Sequence, residues 1–361
     1  MISLADLGWN EFFEDEFRKI AEEAVRPARV VEEMKDAYRV LAEGGELLAE
    51  VAGRLRFAAQ TREHLPAVGD WVTIAARERE ARATIQVVLP RQGKVSRKEA
   101  GRAASEQVIA ANLDTIFVVS SLNRDFNVRR IERYLAMVWE SGASPVILLT
   151  KADLCEEAAR MAEEVESTAI GVPVHVLSAL SGEGLDALQK YLRAGRTVAL
   201  VGSSGVGKST LINRLLGREE MATKPVREED DRGRHATTSR RLVLLPCGGM
   251  LIDTPGMREL QLWDAEAGLE RAFEDIGAFA ADCRFRDCSH HAEPGCAVRQ
   301  AIESGELNAD RLESYRKLER EMKFLERKQD AGLASAEEKK WKKVHQEQKR
   351  NYQQRERHGR R

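Results

Sequence analysis

The chain has 361 residues, 43% hydrophobic and 32% charged, and its 57 Lys/Arg against 59 Asp/Glu give a net charge of −2. That is enough chain for two or three domains with at least one full core, and the composition excludes a disordered protein. No apolar run approaches membrane-spanning length, and the acidic start (Asp6, Glu11, Glu14, Asp15) argues against a signal or transit peptide, so a cytoplasmic protein with no membrane partner is expected.

Charge is unevenly spread. From Arg311 onward there are 17 Lys/Arg against 9 Asp/Glu, an asymmetry that suggests a nucleic-acid contact near the C-terminus. Of five cysteines, three fall between 283 and 296, which fits a metal site in a reducing compartment better than disulfides.

Residues 1–27 place Leu4, Leu7, Trp9, Phe12, Phe13 and Phe17 among acids and read as an amphipathic extension packed on the neighbouring unit. Residues 28–95 read as a small barrel. Short β-rich segments at 28–31, 38–41, 47–51, 55–58, 71–75 and 84–88 are separated by Gly44-Gly45, Gly53 and Gly69-Asp70, and an OB-like fold fits the size. Arg54, Arg56 and Arg62 there could contact phosphate or simply face solvent. The basic stretch 91–110 reads as a linker into the next unit, a central α/β domain assigned to 96–262.

In that domain strands and helices alternate: strands at 115–120, 146–149, 174–177 and 197–201, helices at 128–139, 156–166 and 184–192, then strands at 242–245 and 250–252. Such alternation predicts a parallel sheet with helices on both faces and ligand sites at the C-terminal ends of the strands. Four polar motifs lie at such ends. Gly202-Ser203-Ser204-Gly205-Val206-Gly207-Lys208-Ser209-Thr210 follows a strand and opens a helix, the context of a phosphate-binding loop. Its glycines let consecutive N–H groups point inward, Lys208 supplies a charge to the β/γ-phosphates and Ser209 a hydroxyl to Mg²⁺. Asp253-Thr254-Pro255-Gly256 closes another strand: Asp253 fits a carboxylate that holds Mg²⁺ through water, and Gly256 offers an N–H to the γ-phosphate. Thr150-Lys151-Ala152-Asp153 and Ser178-Ala179 close two more. A carboxylate at 153 can accept from N1–H and N2–H₂ of guanine, donors that adenine lacks, and Lys151 can lay its stem along the base. In the polar segment Gly233-Arg234-His235-Ala236-Thr237-Thr238, a threonine could complete the Mg²⁺ shell and His235 could orient the attacking water.

A zinc-binding and basic helical unit is assigned to 263–361. Cys283, Cys288, His290 and Cys296, spaced x4, x1 and x5, match a closed tetrahedral Zn²⁺ site, and spacing alone leaves His291 open as a ligand. Beyond it, 312–352 reads as helical and basic. Tyr315, Leu318, Met322 and Leu325 form one apolar face, and Lys339, Lys340, Lys342, Lys343, Lys349 and Arg350 form a cationic segment suited to RNA.

The motif order, with K-x-D and S-A ahead of the phosphate loop, is a circular permutation of the usual GTPase order. With that permutation, Val68-Gly69-Asp70-Trp71-Val72 in the barrel and Cys283 to Val298, the sequence resembles the ribosome small-subunit-dependent GTPase A family, RsgA or YjeQ, over roughly residues 28–310. The resemblance implies a monomeric GTPase in late maturation of the small (30S) ribosomal subunit, with rRNA as partner, Mg²⁺ bound with GTP and one structural Zn²⁺. It also favours His290 as the imidazole ligand, His235 as a residue of hydrolysis and a threonine, assigned to Thr238 with Thr237 as the alternative, on the metal. The family pattern is broken at Ala236, at Thr150, where many GTPases carry Asn, and at Met257, where Ras-like proteins carry the catalytic glutamine. An apolar side chain there cannot orient water, so slow intrinsic hydrolysis, accelerated by a partner, is expected. A P-loop metabolic enzyme and a zinc-dependent RNA-binding protein with a regulatory nucleotide site are the competing readings.

Overall fold

The computed structural model describes residues 2–20, 25–59, 61–98, 106–218, 240–253 and 266–324. Five strands form the barrel: β1 (Arg26–Glu33), β2 (Tyr38–Ala42), β3 (Gly45–Val51), β4 (Trp71–Arg77) and β5 (Arg82–Val88). They run in the order β1-β2-β3-β5-β4, and β4 closes back on β1 from Arg26↔Ile74 to Arg29↔Trp71. Only β3 and β5 pair in parallel. This is an OB-like order. Alternation along the strands fills the interior with Ala28, Val30, Val40, Ala49, Val72, Ile74 and Ile85, all buried.

The sequence expectation fails at 55–58, which is not a strand but part of helix α2 (Gly53–Ala58). Apolar alternation at Leu55 and Phe57 mimics a strand. In the fold Leu55 packs against the barrel core, while Phe57 stands 94% exposed. The supposed linker is also structured. β6 (Lys94–Lys98) and β7 (Glu106–Ala111) form an antiparallel pair, because Val95, Val108, Ile109, Ala110 and Ala111 are buried, which the basic residues mask in the composition.

The N-terminal extension packs on the barrel. Helix α1 (Glu11–Ile20) buries Phe13, and Trp9 meets Trp71 edge-on at 4.7 Å. Beneath it lies Arg29, 1% exposed, which donates to the carbonyls of Leu7, of Gly69 (3.2 Å) and of Asn112 (3.1 Å). Burial lowers its pKa to about 10, partly offset by Asp114 and Asp70. One side chain thereby ties the extension, the barrel and the chain entering the nucleotide domain.

That domain is built on β8 (Thr115–Ser121), β9 (Ser144–Thr150), β10 (Val174–Val176), β11 (Thr197–Val201) and β13 (Met250–Asp253), parallel in the order β10-β9-β8-β11-β13. β12 (Arg241–Leu244) runs antiparallel beside β13 and touches β1 at Glu32↔Arg241, so barrel and sheet are continuous. The central strands are apolar throughout because both faces are covered. Helices α3 (Val128–Glu140) and α4 (Ala158–Thr168) pack on one face through Ile131, Leu135, Val138 and Val165. Helix α5 (Lys208–Leu216) and the turn of 3-10 helix at Leu185–Tyr191, where an α-helix was expected, cover the other.

After residues 254–265, helices α6 (Glu266–Ala272), α7 (Glu274–Ala281), α8 (Ala297–Ser304) and α9 (309–324) enclose a separate core around Leu269, Phe273, Ile276, Val298 and Leu318. It is docked on α3. A Cβ at Gly268 would lie 2.1 Å from the Ala136 carbonyl, so only glycine permits this approach of α6 to α3. Among the described residues no helix is long and apolar enough to cross a membrane.

Candidate nucleotide site and Cys3His cluster

The phosphate loop lies between β11 and α5, and its glycines are demanded by geometry. Gly202 has φ +148°, and a Cβ there would sit 2.2 Å from the Val119 carbonyl on β8. Gly207 caps α5 with φ +95°, a conformation costly for any residue with a side chain. In this arrangement Lys208 folds back, its Nζ donating to the carbonyls of Gly202 (2.6 Å) and Ser203 (2.5 Å). Ser204 and Gly205 are exposed and Val206 is buried beneath the loop, while Ser209 and Thr210 begin α5.

Parallel order brings the other motifs to the same edge. Thr150 ends β9 and is 1% exposed; its hydroxyl donates to the Val206 carbonyl (2.6 Å) and more weakly to that of Ser120 (3.3 Å). The departure from Asn therefore keeps a link between the K-x-D segment and the phosphate loop, made by a shorter side chain. Lys151 follows with φ +62°, and the Ala152 N–H donates to the Leu177 carbonyl (3.3 Å). Asp153 is exposed beside it. Ser178, fully buried, ends the segment after β10, accepts from the Ser181 N–H (3.2 Å) and precedes the half-buried Ala179. Asp253 ends β13, next to β11. Ser178, Thr150–Asp153, the loop 202–210 and Asp253 thus follow one another along the C-terminal edge, on strands about 4.8 Å apart. His235, Thr237, Thr238, Gly256 and Met257 lie outside the described residues, as does the basic stretch beyond 324.

Two groups on α3 escaped the sequence reading. Arg130, in the first turn of the helix, donates through Nη1 to Ser203 Oγ (2.8 Å) and to Asp125 Oδ2 (2.8 Å). The available signal was strand order: the loop after β8 must lie beside the loop after β11 once the two strands pair. The second group is Glu132, 3% exposed on the same helix. It is gripped by Arg311 (2.9 Å) and Ser314 (2.5 Å) of α9, and Arg311 also forks onto Asp275 of α7. Burial pushes the Glu132 carboxyl up, against the pull of Ser314 and Arg311.

The cysteine cluster is compact. His290 Nδ1 lies 3.6 Å from Cys283 Sγ and 3.5 Å from Cys296 Sγ, the two sulfurs are 4.0 Å apart, and the ligand atoms of Cys283, Cys288, His290 and Cys296 all fall within 4.8 Å of one another. Tetrahedral zinc with bonds of ~2.3 Å to sulfur and ~2.0 Å to nitrogen places its ligand atoms ~3.5–3.8 Å apart, so the set fits such an ion. His290 turns inward with φ +60°, whereas His291 is exposed and only its carbonyl is engaged, by Arg299. Of the two histidines, His290 is the one grouped with the three thiols.

A phosphate loop on a parallel sheet, with K-x-D and S-A segments at the same edge but reached earlier in the chain, defines a circularly permuted P-loop GTPase. Comparisons agree. The family model described as RsgA GTPase matches residues 88–263. The chain is 47% identical to the small ribosomal subunit biogenesis GTPase RsgA of Opitutus terrae, covering 96% of this chain and 97% of that one. It is 50% identical to small ribosomal subunit biogenesis GTPase RsgA 2 of Lactiplantibacillus plantarum, over 82% of this chain and 83% of that one. Among solved structures, that of YjeQ from Thermotoga maritima is similar with a TM-score of 0.62 and 27% identity, covering 81% of this chain and 97% of that one. The chain belongs to the RsgA GTPase family, and its enzymatic activity is that of a GTPase.

Proposed function

We propose that this GTPase acts in late maturation of the small ribosomal subunit as a cytoplasmic monomer, binding rRNA and hydrolysing GTP faster when the subunit is engaged. The observation that carries the nucleotide part is the single edge that gathers Ser178, Thr150–Asp153, the phosphate loop and Asp253. The ribosomal part is supported by the names of the relatives.

In this reading the N–H groups of Gly202, Ser203, Ser204, Gly205, Val206 and Gly207 and the Lys208 ammonium hold the phosphates. Ser209, with Asp253 through water, holds the Mg²⁺ that accompanies GTP, and Thr210 completes the first turn of α5. Asp153 reads the guanine edge, with Lys151 and Ala152 along the base and Ser178 and Ala179 behind it. Thr238, Gly256 and His235 serve the γ-phosphate and the attacking water. Held by Ser209 and Asp253, Mg²⁺ would supply charge neutralisation to the transferred phosphoryl group. The Cys3His cluster holds one Zn²⁺ that supplies folding energy to a segment too polar to pack itself.

The test is the GTP hydrolysis rate with and without purified small subunits, for wild type and Lys208→Ala. Stimulation of about tenfold or more in wild type and loss of turnover in the variant are expected, since an unassisted site lacks a water-orienting glutamine. A rate that stays flat across a subunit titration overturns the ribosomal reading.

A further inference from the structure

Arg130 stands where helix physics disfavours it. The first turn of α3 carries no acidic residue, and the positive end of a helix repels a guanidinium. Its own cap is made by Asn127, whose Oδ1 accepts the Arg130 N–H at 3.0 Å, and its side chain reaches back to Asp125, to the carboxylate at 2.8 Å and the carbonyl at 3.4 Å. A bare Arg130–Asp125 pair, with both side chains more than a third exposed, would be worth little. What distinguishes this guanidinium is its second contact, the 2.8 Å bond to the hydroxyl of Ser203.

Ser203 is the second residue of the phosphate loop, and it is held from two sides. Lys208 binds its carbonyl (2.5 Å) and Arg130 its side chain. Lys208 is also the group a P-loop needs on the β/γ-phosphates. When its ammonium turns to that task, the grip on the Ser203 carbonyl weakens and the grip on the hydroxyl remains. The anchor is rigid, because α3 buries Ile131, Leu135, Ala136 and Val138 and holds α9 through Glu132.

We propose that Arg130 is a positioning residue of the nucleotide site: braced by Asp125, it fixes Ser203 and with it the first turn of the phosphate loop, on which GDP and GTP depend alike. This rests on the reading that a guanine nucleotide occupies residues 202–210. Both bonds leave a single nitrogen, Nη1, so a lysine ammonium, with three donors on a shorter stem, recovers only the part of them that it reaches.

The experiment measures GDP and GTP affinity, together with KM and kcat, in the full chain for wild type, Arg130→Ala, Arg130→Lys, Ser203→Ala and the double variant Arg130→Ala/Ser203→Ala. Loss of a charge-assisted hydrogen bond predicts affinities for both nucleotides weaker by about tenfold in Arg130→Ala, with KM raised and kcat within about twofold of wild type. Arg130→Lys recovers part of the loss. Ser203→Ala reproduces it, and the double variant is no weaker than the weaker single one, because both changes remove the same bond. Ser203→Ala, which deletes one oxygen, together with Arg130→Lys, carries the test should Arg130→Ala fail to fold. Unchanged GDP affinity in Arg130→Ala overturns the proposal. So do losses that add in the double variant, or a fall in kcat with GDP affinity intact, which would put the guanidinium on the transferred phosphate. Failure of wild type to bind either nucleotide sinks the nucleotide reading itself, a separate result.

Discussion

At the scale of single residues, the chemistry is written in side chains whose burial follows from their partners. Arg29 is the clearest case away from the site. It presents a full charge to three backbone carbonyls and no carboxylate. Arg29→Met keeps the volume but strands the Leu7 and Asn112 carbonyls, while that of Gly69 keeps its bond from Asn112 Nδ2 (3.1 Å), and unsatisfied buried carbonyls cost about 1–3 kcal/mol each. Chemical denaturation of the variant should therefore show a loss of about 2 kcal/mol or more. Nothing in the sequence marked Arg29, because an arginine in an alternating strand reads as solvent-facing. The cysteines were legible for the opposite reason: thiolates and imidazole at close spacing have few other uses. Elemental analysis is expected to find one zinc per chain in wild type and less in Cys283→Ser, and a variant that keeps full stoichiometry would refute the assignment.

Secondary-structure elements explain how the site is held and how it meets the rest of the molecule. Helix α3 touches the phosphate loop through Arg130 and carries the C-terminal unit through Glu132 and Arg311. Arg311→Ala leaves Glu132 and Asp275 facing one another without their cation, and removing one partner of a buried pair costs about 3–5 kcal/mol. The expected result is an early unfolding transition for the variant, rescued in part by Glu132→Gln in the same chain. Edge strand β10 makes a smaller, pH-dependent contribution. Burial, with Lys190 nearby, lowers the pKa of His175 below 6.5, and its Nε2 lies 3.2 Å from the Tyr191 hydroxyl. The folded state thus prefers the neutral ring. Its contribution is intact above pH 6.5 and diminishes as pH falls below that value, when the unfolded chain binds the proton more readily. Melting curves of wild type should drop relative to His175→Gln across that interval. At this scale the sequence was legible where periodicity and burial agree, as in β8, β9 and β11. It misled at 53–58, where two apolar side chains two residues apart belong to a helix with one of them exposed. It misled again at 94–111, where Lys94, Arg97 and Lys98 concealed how much of the paired strand, Val108 to Ala111, is buried.

Across the whole molecule the permutation decides the layout. The usual start of a GTPase sheet falls in mid-chain, and the strand closed by Asp253 hands the chain on toward the Cys3His unit. Beside it β12, which receives the chain after residues 219–239, meets the barrel at β1, where Arg240 also pairs with Glu33 (3.0 Å). The contact with the barrel, through β12, and the connection to the C-terminal unit, through β13, thus lie on neighbouring strands at one border of the sheet, while the C-terminal unit itself docks on α3. The motifs revealed this arrangement early, because glycine, lysine and aspartate at fixed spacings carry backbone and charge requirements that few alternatives meet. The docking of α6 on α3 did not show, since Gly268 reveals its purpose only when Ala136 is beside it. The central claim is that loops from four separate strands converge on one guanine nucleotide. Calorimetric titration of GDP and ADP into wild type and Asp153→Ala addresses it directly. The account predicts that wild type binds GDP and discriminates strongly against ADP, and that the variant loses most of its GDP affinity and the discrimination with it. Equal affinity of wild type for the two nucleotides, or a variant that still prefers GDP as wild type does, would contradict it.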